Sequence, residues 1–323
     1  MENNSCARKY SGIGGQAVME GVMMRNKEKY AVAVRKSDGE IEVMQDVYKG
    51  IIPVEGIYKI PFLRGVFSFV DSLVLGLKTL NYSADFYTED EDGAKQKAKE
   101  NKDDKAEKKG KGAGETALMT VVMIVSMLIA ISLFMVLPYY ASLLFGKYIK
   151  NIHLLTLVEG IIRLAVFVIY VKVISGMEDI RRVFMYHGAE HKCINCIESG
   201  KELNVENVKA ASKEHRRCGT SFLLYVMVVS IIFFSLISTP SRVLRVVLRI
   251  VLIPVIASVA YELIRLAGKS DNAIVRALSA PGLLMQRLTT REPDEKMIEV
   301  GIKSVEAVFD WRAYLKENFS TGE

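Results

Sequence analysis

The chain has 323 residues, half of them hydrophobic and a quarter charged, with a mean hydropathy of +0.19. That balance excludes a secreted disulfide scaffold, a fibrous repeat and a wholly disordered chain, and it gathers the apolar residues into blocks, the pattern of membrane spans joined by polar loops. The net charge of +6 is spread along the chain, so no nucleic-acid partner is expected, and the lipid bilayer is.

In chain order, residues 1–10 have no apolar run and read as a cytosolic start without a signal peptide. Gly12, Gly14 and Gly15 give a backbone free to approach a phosphate, but no Lys-Ser/Thr follows. The better account of this stretch is packing through Met19, Met23 and Met24, with Glu20 and Arg25 as polar contacts. Residues 30–36 and 40–47 alternate apolar and polar around Ser37-Asp38-Gly39, which predicts a small cytosolic β-hairpin and no other sheet. Residues 61–80 carry apolar side chains at helical spacing broken by Arg64, Asp71 and Lys78, and are read as an interfacial or re-entrant helix. The stretch 88–115 mixes lysines and acids with almost nothing apolar and is read as a disordered linker.

Four blocks are long enough to span a bilayer core of about 30 Å: 116–137, 152–175, 219–239 and 243–267. The expected fold is therefore mainly α, a polytopic membrane protein with four transmembrane helices. Its regions are 1–83, the linker 84–115, the transmembrane region 116–267 with a loop at 176–218, and a cytosolic helical region 268–323, where 297–319 is read as a docked helix. Lys and Arg favour that loop and both tails, so both termini are expected on the cytosolic side of a bacterial plasma membrane. Glu159 and Arg249 fall at similar depth in their spans and are expected to pair, because an unmatched charge there is costly. Snorkelling of Arg245 and Arg249 to the headgroups is the alternative.

Three of the four histidines and three of the four cysteines lie between the second and third blocks, with Cys6 the remaining cysteine. On the reducing side of the membrane these are thiols or metal ligands rather than disulfides. His187 and His191 stand four apart on the apolar face of an expected helix, and Glu190 completes the His-x-x-Glu-His order of inverted zinc peptidases. There the histidines hold a divalent metal, usually zinc, and the glutamate acts as general base on water. A third ligand is needed, and the candidates are His215, Cys218, Glu198, Glu262 and Glu20. The run Cys193-x-x-Cys196 with His215-x-x-Cys218 competes as a closed structural zinc site, and the remaining reading is that all of them are packing residues.

Four segments together resemble the YqhQ family of bacterial membrane proteins: Gly14-Gly15-Gln16-Ala17-Val18-Met19-Glu20-Gly21-Val22-Met23-Met24-Arg25, Pro61-Phe62-Leu63-Arg64-Gly65, Tyr186-His187-Gly188-Ala189-Glu190-His191-Lys192 and Arg217-Cys218-Gly219-Thr220-Ser221-Phe222. The likeness continues through Ala280-Pro281-Gly282 and Leu288-Thr289-Thr290-Arg291-Glu292-Pro293. It implies a metal-dependent enzyme with His187, Glu190, His191 and the Cys218 segment in the site. Cys193 and Cys196 are less typical of the pattern, which favours the open site over the closed one.

Three functions are compatible with these features. The first is a membrane-embedded, cytosol-facing metal-dependent hydrolase acting on a membrane-proximal peptide or lipid. The second is a membrane scaffold or assembly factor with a structural metal or none. The third is a transporter, suggested by charges inside the spans but opposed by their small number and the lack of repeats.

Overall fold

The computed structural model describes residues 9–52, 56–97, 113–237, 242–269 and 272–319. Four strands open the chain: β1 Ile13–Val18, β2 Gly21–Asn26, β3 Lys29–Arg35 and β4 Ile41–Val47. The helices that follow are α1 Leu63–Lys97, α2 Ala113–Ile131, α3 Leu137–Phe145, α4 Ile152–Ile174, α5 Glu178–Glu198 and α6 Val205–Ala210. After them come α7 Gly219–Leu236, α8 Arg242–Val251, α9 Ile253–Lys269, α10 Ala273–Thr289, α11 Glu295–Val308 and α12 Trp311–Phe319. The chain divides into two compact units, one of Met1–Thr88, Val171–Val226 and Ile253–Glu323, the other of Glu89–Tyr170 and Met227–Leu252.

The first unit is built on an antiparallel meander in the order β1-β2-β3-β4. Alternation of period two sorts its side chains between two faces. Val22, Met24, Ala31 and Ala33 share one buried cluster with Ile194 and Ile197 of α5 and Ile298, Val300 and Val305 of α11. Val18, Met23, Tyr30, Val32 and Val34 share the other with Leu75, Tyr82 and Phe86 of α1. The expected hairpin is thus the β3–β4 half of a four-stranded sheet. Covering both faces buries Gly21 through Met24 without a break, which erases the alternation that marks a half-exposed strand.

The expected interfacial helix extends from Leu63 to Lys97, so that it enters the segment read as a disordered linker. Residues 98–112 of that segment lie outside the described residues, as do Cys6 and the other residues at either end of the chain. The tail expected as one helix is two. Phe309 leaves helical geometry at φ −142° and ψ 122°, and Asp310 restarts the chain by accepting from the Ala313 N–H at 3.0 Å.

Among the described residues, three helices rather than the four expected are long and apolar enough to cross a membrane: Thr120–Phe145, Ile152–Ile174 and Gly219–Leu236. Their apolar side chains are widely exposed, as at Met123, Leu128 and Ile169, the surface that lipid covers and water does not. The expected fourth span, 243–267, is interrupted. Helix α8 ends at Val251 and α9 begins at Ile253, because Pro254 cannot donate to the preceding turn and its ring clashes with a continuing helix. What remains of α8 is a short amphipathic helix with Arg242 and Arg249 in its sequence.

Within the second unit, Ser132–Val136 forms a π turn leading from α2 into α3. The Phe134 carbonyl in that turn accepts from Arg163 Nε at 3.2 Å. Arg163 Nη2 also donates to Glu159 at 2.6 Å, and Arg249 Nη2 reaches both oxygens of the same carboxylate at 2.9 and 3.1 Å. Glu159, only 4% exposed, therefore carries two arginines rather than the single partner that depth alone suggests.

Candidate metal centre

Helix α5 starts with two acids, Glu178 and Asp179, at the positive end of its dipole. It stops where Gly200 turns at φ 77° and the Lys201 N–H returns to the Cys196 carbonyl. From Gly188 to Glu198 every residue is buried, including Glu190, Lys192, Asn195 and Glu198, and each of these four has a partner. Lys192 Nζ donates to the Lys209 and Ala211 carbonyls at 2.9 Å, and Asn195 Nδ2 to those of Ser212 and Glu214. These bonds fasten the chain at 209–214 along the helix.

That fastening places the Lys213 carbonyl where His191 Nδ1 donates to it at 2.7 Å. His187 Nδ1 donates in the same way to the Thr289 carbonyl at 2.8 Å. A carbonyl only accepts, so Nδ1 of each ring carries a proton and Nε2 is the atom through which each ring would bind a metal. His187 Nε2 lies 3.1 Å from Cys218 Sγ. One ligand atom from each of His187, His191 and Cys218 falls within 4.8 Å of the other two. Two imidazoles with carbonyl-held outer nitrogens and one thiol are a donor set that suits zinc, so this group could hold a metal ion.

The electrostatics agree with the donor set. Burial alone would push the Cys218 thiol up, but the His187 and His191 rings beside it pull it well below its ordinary range. Burial likewise opposes a charge on His187, and the Cys218 sulfur outweighs it, holding the imidazole at about 9. Glu190 is buried, which raises its carboxyl, with His191 and His187 working against the rise. The Gly15 N–H on the neighbouring strand also lowers it.

The other candidates lie elsewhere. His215 stands next to His191, with ring centroids 5.6 Å apart, but its Nε2 faces Glu198 at 3.6 Å. Burial, with His191 and Arg217 assisting, lowers that imidazole despite the nearby carboxylate. Glu198 is occupied by Arg217 at 2.6 Å and by the Ser11 hydroxyl and N–H, and is held at about 2 against its burial by His215 and Arg217. Glu262 forms a two-pronged pair with Arg64 at 2.6 and 2.5 Å, with Arg265 only at 4.0 Å. Glu20 is taken by Arg182 and Tyr186. Cys193 and Cys196 are buried in the apolar cluster, with the Cys193 thiol raised by burial, so the four residues of a closed site are not gathered.

Sequence reasoning missed three main-chain groups that shape the site: the carbonyls of Thr289 and Lys213 and the N–H of Gly15. No side-chain identity signals a carbonyl, although Thr289 lies in the Leu288–Pro293 segment that the family likeness singled out. Gly188 is the fourth omission. A Cβ there would stand 2.0 Å from the Arg291 carbonyl oxygen, so only glycine lets the segment that follows Thr289 at the end of α10 cross α5.

A family described as proteins of unknown function, DUF1385, matches residues 60–311. The uncharacterized protein YqhQ of Bacillus subtilis (strain 168) is 34% identical over 306 residues, covering 94% of each chain. No solved structure matches. With the family match spanning most of the chain and a relative aligned along nearly its whole length, the chain belongs to the DUF1385 (YqhQ) family.

Proposed function

We propose that the protein is a membrane-embedded, metal-dependent hydrolase facing the cytosol, with His187, His191 and Cys218 as ligands and Glu190 as general base. The observation that carries this reading is the pair of Nδ1 to carbonyl bonds at Thr289 and Lys213, which aims two Nε2 atoms at one thiol. An ion held there supplies Lewis acidity to water and to an oxygen of the scissile group. Glu190, three residues after His187 and next to His191, takes the proton from the attacking water and passes it to the leaving group. Its raised carboxyl suits a base that must give the proton back. Gly15 helps line a cavity of about 290 Å³ and also packs against the proposed base, since a Cβ on it would lie 3.0 Å from Glu190 Cγ. With three apolar helices in the chain and the Lys/Arg bias of its loops, the substrate is a membrane-proximal peptide or lipid.

The test is metal content of the full chain purified in detergent without chelator. About one equivalent in the parent and in Glu262→Gln, lost in His187→Ala and Cys218→Ala, supports the site. A metal-free parent sinks it. Glu190→Gln then separates enzyme from scaffold, because an enzyme keeps metal and loses turnover whereas a scaffold keeps its function.

One distance favours a second reading. Cys218 Sγ at 3.1 Å from His187 Nε2, with that ring oriented from behind by Thr289, is also the arrangement of a thiol nucleophile and its base. A metal-free parent whose Cys218 is alkylated rapidly at neutral pH would shift the assignment to that chemistry.

A further inference from the structure

Helix α4 has 23 residues and is roughly 34 Å long at 1.5 Å per residue, enough to cross a hydrocarbon core of about 30 Å. A bilayer spanned by α4 would place Ser175 and Gly176, the two residues after its last, at headgroup level. They line a cavity of about 490 Å³ together with Arg181, Lys213, Arg291 and Glu292, a size typical of small-ligand sites. Its charges do not balance. Glu292, the single acid, is already bonded to Lys192 at 2.5 Å and lies 3.3 Å from Lys213. The Arg181 side chain has no partner among the described residues, and the acids that precede it, Glu178 and Asp179, do not line the cavity.

Arg291 is the most telling member. Its backbone is pinned, with its N–H on the Phe184 carbonyl at 2.8 Å and its own carbonyl against Gly188. Its Nε is buried with no hydrogen-bond partner, and its Nη2 reaches only Ser175 Oγ, at 3.5 Å. A buried guanidinium donor left unmade is costly, and a fixed fork of donors matches phosphate oxygens. We propose that this cavity binds the phosphate of an anionic membrane-lipid headgroup, with Arg291 as the fixed donor and Arg181 and Lys213 closing on the same group. The proposal does not depend on the hydrolase reading, since it uses side chains whose backbones, not their charges, support the histidines.

The full chain in detergent is titrated with dioctanoyl phosphatidylglycerol, dioctanoylglycerol and inorganic phosphate, and native mass spectrometry reads the bound fraction and the metal content together. The parent should bind the phosphatidylglycerol about tenfold or more tighter than the diacylglycerol, the factor expected for one charge-assisted bond. Arg291→Gln should lose that preference with metal content unchanged. Arg181→Gln/Lys213→Gln should lose it too, and because both side chains reach solvent this variant keeps the test valid if Arg291→Gln fails to fold. Equal binding of the two lipids by the parent, or a preference that survives the double variant, overturns the proposal. Inorganic phosphate binding as tightly as the phospholipid overturns the lipid source and leaves a soluble phosphate site. Loss of metal from the parent alone leaves the lipid comparison intact and counts only against the metal centre.

Discussion

Gly15 of β1 packs directly against Glu190 of α5: a Cβ added to Gly15 would lie 2.5 Å from the Met23 carbonyl oxygen, 2.9 Å from Met24 Sδ and 3.0 Å from Glu190 Cγ. Two of those neighbours are side chains that can shift, but Met23 O belongs to the ladder between β1 and β2 and cannot move alone. Gly15→Ala is therefore expected to cost about 1–3 kcal/mol, as overpacking does, and to displace Glu190, the proposed base. Thermal unfolding in detergent measures the first effect, and a fall in turnover with metal retained measures the second.

The coupled pair of His187 and Cys218 sets the pH dependence of the metal-free protein. His187, raised from 6.5 to about 9, contributes stability that is full below pH 6.5 and lost as pH rises to about 9. Cys218, lowered from 9, contributes stability that is full above pH 9 and lost as pH falls through its lower folded value. Between 6.5 and 9 the two slopes cancel, because the unfolded chain holds one proton on the thiol and the folded one holds one on the imidazole. Melting temperature in the presence of chelator should be flat in that window as far as this pair is concerned, and should fall below pH 6.5. A steady decline from pH 6.5 to 9 that His187→Gln abolishes would mean that the proton is not exchanged within the pair.

How much of this was legible in the sequence depends on whether side chains or main chain do the work. His187, Glu190 and His191 could be read because a helix of period 3.6 puts i and i+4 on one face, and Cys218 stood among the candidates. Glu262 misled because a carboxylate late in an apolar run looks unmatched until the chain fold brings Arg64 to it from far upstream. The strands β1 and β2 were hidden for a different reason. Their glycines carry no strand preference, and burial of β2 on both faces removed the alternation. The break at Pro254 was visible as a residue, yet apolar content on both sides of it favoured one long span. The carbonyls of Thr289 and Lys213 could not be read at all.

In the second unit, Glu159 neutralises one of the two arginines bound to it, so removing its charge leaves both guanidinium groups without an anion. Glu159→Gln should destabilise by about 3–5 kcal/mol, the range for breaking a buried ion pair from one side. Arg249→Gln should cost less, since Arg163 stays paired at 2.6 Å. Melting of the two variants and their double mutant yields the coupling energy, and a Glu159→Gln protein as stable as the parent would show that lipid or water already screens the cluster.

Gly188 gives the most direct check on how the proposed metal centre is positioned. A Cβ there would overlap the Arg291 carbonyl oxygen at 2.0 Å, a contact that no side-chain movement relieves because the obstacle is backbone. The chain at 290–292 must lift away from α5, and Thr289, just before it, carries the carbonyl that holds His187 Nδ1. Gly188→Ala keeps every ligand yet frees the His187 ring, so zinc affinity should fall by about 10–100-fold, the usual effect of losing an outer hydrogen bond. Competition with a chromophoric chelator measures that fall. Lys213 offers a control from the same shell: Lys213→Ala leaves the main-chain carbonyl on His191 in place, so its zinc affinity should match the parent. A Gly188→Ala protein that is folded and binds zinc as tightly as the parent would mean that the Thr289 carbonyl does not orient the site.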